Sequence, residues 1–131
     1  MQPIQQTVFD DILGDCFRAC VASIFEWSID EMPNFWEQTQ NVDEYWELTD
    51  EWFMQYKGFK CLHVVLSAEH MSVVRDLLCI ACAKSPRSSV DHAVVWFNGM
   101  VHDPHPSGAG LAEEPDWFTL FVPIDPRRTP K

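Results

Sequence analysis

A chain of 131 residues can bury one core and leaves no comfortable room for a second. Its 47 % hydrophobic content, with six Trp and nine Phe, excludes intrinsic disorder. The formal charge of −11 opposes a phosphate backbone, so nucleic acid is excluded as an expected partner and a basic peptide or protein surface is favoured.

The first residues, Met1-Gln2-Pro3-Ile4-Gln5-Gln6, have neither a basic start nor an apolar run, and no apolar stretch approaches the length of a membrane span. A soluble, cytoplasmic protein without a membrane partner is expected. Five cysteines in such a chain read as reduced thiols and not as a disulfide framework.

Residues 1–13 read as extended or looped. A helix follows over 16–26, with Gly14 turning the chain and Asp15 as N-cap. Ala19, Cys20, Val21, Ala22, Ile24 and Phe25 leave it little polar face. That is the pattern of a buried central helix, and its small residues let a sheet come close. Ser28 and Glu31 have the spacing of a capping box over a short helical turn that Pro33 ends. Asn41 and Glu44 open a longer helix that Gly58 closes. Along it Val42, Tyr45, Trp46, Thr49, Trp52, Phe53 and Tyr56 recur at helical spacing, a core-facing stripe in which Trp46 or Trp52 could instead line a substrate groove.

The second half reads as strands. They are expected over 59–66 and 78–83, with Ser67 capping a short helix between them that runs to 77. A polar loop over 84–89 contains Pro86. Asn98-Gly99 between apolar runs marks a hairpin of 93–97 with 100–102. Pro104, Pro106, Gly108 and Gly110 make an irregular loop, 117–122 is the last strand, and 125–131 is a flexible tail on a single domain over 1–124. Helices first and an antiparallel-type sheet after them define an α+β layout.

Two distant fragments carry chemistry: Gly14-Asp15-Cys16-Phe17-Arg18-Ala19-Cys20, and His92-Ala93-Val94-Val95 with Asp103-Pro104. A thiol in the first turn of a helix faces free N–H groups and the positive end of the helix dipole, which favour a thiolate and can hold an oxyanion. His92 would take the thiol proton and return it to the leaving group, and Asp103 would fix the ring. Pairing across Asn98-Gly99 sets Phe97 opposite Met100, Val94 opposite Asp103 and His92 near His105, so the imidazole and the carboxylate meet at the open end of the hairpin. Each residue also has a plainer role. Cys20, Cys61, Cys79 and Cys82 read as small core residues. His102, Asp103 and His105 could form a metal group, but they lie on a Pro-rich loop with no evident fourth ligand. Cys79 and Cys82 have CxxC spacing on a strand, where they point to opposite faces. No metal and no cofactor are expected.

Asp15-Cys16, Ala19-Cys20, His92-Ala93-Val94-Val95 and Asp103-Pro104 match, in type and order, the motifs of papain-like cysteine peptidases, and the chain most resembles the C39-like group. The resemblance covers about residues 5–111, with the middle matched by element order alone. It implies a nucleophile helix packed on an antiparallel sheet and a Cys16-His92-Asp103 triad. It implies a thiol hydrolase cleaving a peptide or isopeptide amide in a peptide or protein substrate. The same triad serves a deamidase or transglutaminase-type acyl transferase, and a silent binding or inhibitor protein could keep it. The family also carries a Gln shortly before the cysteine as an oxyanion donor. Gln6 is the candidate here, with Gln5 as the fallback, and both lie further upstream than the resemblance asks. Asp10, Asp11 and Asp15 add negative charge near the thiol.

Overall fold

The computed structural model describes residues 1–9, 14–39 and 41–127. Two α-helices, α1 (Cys16–Phe25) and α2 (Val42–Trp52), precede five strands, β1 (Phe59–Val65), β2 (Cys79–Lys84), β3 (Asp91–Trp96), β4 (Met100–His102) and β5 (Trp117–Pro123). The strands form one sheet in the order β1-β5-β2-β3-β4, with every neighbour antiparallel. The fold is therefore α+β.

Both faces of the central strands are buried, so their apolar runs split by alternation. Ile80, Cys82, Ala93 and Val95 point towards the helices and join Phe17, Cys20, Val21, Tyr45 and Phe53. Cys79, Ala81 and Val94 point the other way and join Val74, Phe118 and Leu120. Cys79 and Cys82 thus lie on opposite faces, as period two requires. All five cysteines are free thiols. The small side chains Ala19, Cys20 and Ala22 of α1 are almost fully buried, which lets α1 lie close against β3 and β2.

The caps follow the sequence in part. Asn41 accepts from Glu44 N at 2.9 Å and its amide donates to the Glu44 carboxylate at 3.2 Å. The helix does not continue regularly to Gly58: residues Phe53–Lys57 form a π-turn, closed by Gly58 at φ 73°. The wider turn keeps Phe53 fully buried among Phe25, Trp27 and Phe121 while Tyr56 swings outward to 65 % exposure. The expected stripe therefore ends at Phe53, and Val42 and Tyr56 leave it. The helix after Ser67 is a 3-10 segment, Ala68–Val74, that Ser67 does not cap through its side chain. Its hydroxyl bonds the His70 ring at 2.8 Å instead.

The hairpin differs from the expected two-residue turn. Trp96 pairs with Met100, leaving Phe97-Asn98-Gly99 as a three-residue loop, with Asn98 at φ 57° and Gly99 at φ 141°. Asp76 explains the difference. It exchanges two hydrogen bonds of 2.8 Å with the Asn98 side chain, which anchors the loop to the neighbouring turn. A bulge between Val95 and Trp96 then restores the expected register, and Val95 faces His102.

At the C-terminus Ile124 N donates to Gly58 O at 2.9 Å, and Arg127 pairs with Asp125 in an exposed turn. The remainder of the expected tail, 128–131, lies outside the described residues. No helix among the described residues is long and apolar enough to cross a membrane.

Candidate active site

Cys16 is the first residue of α1, His92 the second of β3, and Asp103 the residue after β4. The His92 Nε2–H donates to Asp103 Oδ1 at 2.7 Å. The Cys16 thiol stands close enough to the same ring to favour its charged form, and with Nε2 taken, Nδ1 is the nitrogen left to face it. The three side chains therefore form one chain of contacts. His92 is 5 % and Asp103 7 % exposed, whereas Cys16 is half-buried and opens on a cleft.

Asp103 is held from every side. His105 N donates to Oδ1 at 2.9 Å and Gly110 N to Oδ2 at 2.7 Å. Gly110 has φ +70°, and a Cβ there would stand 3.0 Å from the Met100 sulfur, so glycine lets the loop fold back onto the carboxylate. Burial works against the charge of Asp103, but the His92 bond and the two backbone donors outweigh it and lower its pKa to about 2. Burial likewise opposes a charged His92. The hydrogen bond to Asp103, its negative charge and the nearby Cys16 sulfur outweigh it and raise the ring to about 9.

Both shifts link folding to pH. His92 is raised above its ordinary 6.5, so its contribution to stability is complete below that value and is lost as pH rises to about 9. Asp103 is lowered from 3.8, so its contribution is complete above that value and is lost as pH falls to about 2. Urea midpoints of the wild type are expected to fall between pH 6.5 and pH 9 more steeply than those of His92→Gln. Parallel curves for the two proteins would mean that His92 is not held protonated.

The other four thiols differ from Cys16. All are buried, and burial raises the pKa of Cys20, Cys61 and Cys82 and pushes Cys79 up to about 12.

Gln6 and Gln5 part company. Gln6 is buried and lines the cleft with Cys16 and His92, while Gln5 is exposed and absent from the lining. The Gln6 amide donates one hydrogen to Val8 O at 2.9 Å and keeps a second, and its Oε1 meets no partner among the described residues. The long spacing to Cys16 is bridged by Asp15. Its carboxylate accepts from Thr7 N and Val8 N at 2.9 Å each and from the Thr7 hydroxyl at 2.7 Å, and Asp15 N donates to Val8 O at 3.3 Å. The chain thus returns to itself between Val8 and Asp15, and the residue count from Gln6 to Cys16 does not measure their separation. Gln6 N donates to Pro104 O at 3.0 Å, which ties this segment to the loop after Asp103.

Asp15 therefore does not cap α1 through its side chain, contrary to expectation. Its carboxylate is spent on the segment carrying Gln6, and Arg18 stands 3.4 Å away as counter-ion. Of the other nearby acids expected, Asp10 and Asp11 lie outside the described residues. Further up, Ser23 accepts from Ile4 N at 2.9 Å, and the His102 Nε2–H donates to Ile4 O at 2.8 Å. His102 thus serves the N-terminal segment, while His105 Nδ1 bonds Ser107. The His102, Asp103 and His105 side chains are committed to different partners, and no group of three potential ligands among the described residues is arranged for a metal ion.

The cleft has a volume of about 960 Å³. Phe17, Trp36, Trp46 and Trp117 wall one side, so Trp46 lines the groove and Trp52 does not. His63 packs between Trp46 and Trp117, with ring centroids at 4.6 and 5.5 Å, and is itself fixed by Thr119 and Asp50 at 2.9 and 3.3 Å. Ser85, Arg87, Ser88 and His105 also line the cleft. No protein-family model matches the chain, and no curated protein or solved structure matches it either.

Proposed function

We propose that the protein is a cysteine-dependent amide hydrolase of papain-like type, acting on a peptide or isopeptide bond. The observation that carries this reading is the contact chain from Cys16 through His92 to Asp103, open to a cleft at the thiol and closed to solvent at the carboxylate. The proton shared by Cys16 and His92 rests on Nδ1, opposite the bond that Nε2–H makes to Asp103, and the sulfur attacks the amide carbon. The oxyanion that forms is stabilised by N–H groups of the first turn of α1 and by the second amide hydrogen of Gln6. His92 returns the proton to the leaving nitrogen, the C–N bond breaks and a thioester remains. A water, deprotonated by His92, then cleaves the thioester and restores the thiol. An amine in place of water would make the same site a transferase. Deamidation would release ammonia from a side-chain amide. The rest of the geometry serves all three outcomes.

Alkylation with iodoacetamide near neutral pH, followed by peptide mapping, tests the reading. Cys16 is expected to be modified first, well ahead of the four buried thiols, and Cys16→Ser is expected to abolish hydrolysis while leaving the thermal transition in place. Labelling of Cys16 no faster than of Cys61 or Cys79 would overturn the claim of an activated nucleophile.

A further inference from the structure

We propose that Arg87 is a carboxylate anchor, so that the cleft selects substrates carrying a negatively charged group at a fixed distance from the scissile amide. This rests on the assignment of Cys16 as nucleophile. The chain has 9 basic and 20 acidic residues, and among the described residues Lys60, Arg75 and Lys84, like Arg87, make no ion pair, but none of those three lines the cleft. Arg18 pairs with Asp15 and Asp30, Lys57 with Glu31, and Arg127 with Asp125. Arg87 makes no ion pair among the described residues, although it lines the cleft that holds Cys16 and His92. It is the only Lys or Arg among the described residues of that lining. The only Asp or Glu there, Asp91, stands opposite Lys84 in the β2–β3 ladder.

Arg87 is also held in place. Its backbone N–H donates to Ser85 Oγ at 3.1 Å, and Nη1 donates to Ser107 Oγ at 3.0 Å. Ser107 is bonded in turn to His105 Nδ1 at 2.9 Å, and His105 N reaches Asp103. The guanidinium is thereby tied through one short loop to the residues that fix His92. A guanidinium has five N–H donors in a planar fork, and a serine hydroxyl uses one of them. The remainder suit the two oxygens of a carboxylate. The serines beside it, Ser85 and Ser88, are neutral and add no competing charge. The net charge of −11 still acts at long range, where it favours basic partners, but over the contact distance the local cation decides.

The test uses N-iodoacetyl amino acids of increasing chain length, each compared with its uncharged methyl amide, at low ionic strength and neutral pH. The rate of Cys16 alkylation is read by peptide mapping. At one length the acid is expected to label Cys16 roughly tenfold faster than its amide, the scale of one charge-assisted hydrogen bond. That ratio is expected to collapse in Arg87→Gln and to survive in part in Arg87→Lys. Equal rates for acid and amide at every length, with Cys16 still labelling ahead of the buried thiols, would overturn the anchor alone. A preference retained in Arg87→Gln would overturn it too. Failure of every reagent to single out Cys16 would overturn the nucleophile assignment, and the anchor with it.

Discussion

Asp103→Asn is expected to lower amide hydrolysis by about 10³–10⁴-fold while the chain still folds, because the triad depends on which ring nitrogen carries the proton. In the wild type, Oδ1 accepts from His92 Nε2 and from His105 N, and Oδ2 accepts from Gly110 N. An asparagine has one acceptor oxygen, so its NH₂ must face either Gly110 N or the pair formed by His92 Nε2 and His105 N. It also removes the negative charge that helps to hold His92 protonated up to about 9. Asp103→Ala is expected to cost more stability, about 3–5 kcal/mol, since it leaves the buried His92 and two backbone N–H groups without their acceptor. Turnover on a responsive peptide amide and urea denaturation separate the two effects. Asp103→Asn with wild-type turnover would mean that the carboxylate only supports the fold.

Asp15→Ala is expected to destabilise the protein by about 2–3 kcal/mol and to lower kcat by about 10²–10³-fold, although Asp15 touches neither the thiol nor the imidazole. The carboxylate is 1 % exposed and fastens Thr7 and Val8 to the head of α1. Without it, Gln6 loses its fixed place beside Cys16. Gln6→Ala is expected to reproduce the loss in kcat with little loss of stability. The double variant should then be no slower than Asp15→Ala alone, because both changes remove the same oxyanion donor. Fully additive losses would show that Asp15 acts independently of Gln6. Asp15→Asn can still accept from the two backbone N–H groups and is expected to fall between.

Much of this arrangement was legible in the residues. The apolar faces of 16–26 and the Asn41-Glu44 pair place both helices, and Asn98-Gly99 places the hairpin that brings His92 beside Asp103. These signals are local, arising from period, caps and turn chemistry. The turn itself came out a residue longer because Asp76 holds Asn98, a contact across 22 positions that no local pattern announces. The π-turn after α2 has the same origin: it lets Phe53 reach the aromatic cluster, and packing overrides helical spacing. The N-terminal segment was the least legible. Its extended backbone has no period, and its place is set by single polar atoms on Asp15, Ser23 and His102. Ser23, polar on an otherwise apolar helix face, and Asp15 just before that helix were the available clue, since buried groups of this kind need partners.

The position of β5 has a consequence for how the chain acquires its structure. The last strand in sequence lies between β1 and β2 and is the only link between them in the sheet. Until residues 117–123 are available, β1 has no neighbour and the β2–β3–β4 meander has a bare edge. On a ribosome the thiol, the imidazole and the carboxylate all emerge before the strand that completes the sheet beneath them. The site is therefore assembled late, by long-range pairing that is slow by nature. Loss of the final strand would disturb the thiol more than ninety residues upstream, at position 16, with which it shares no motif.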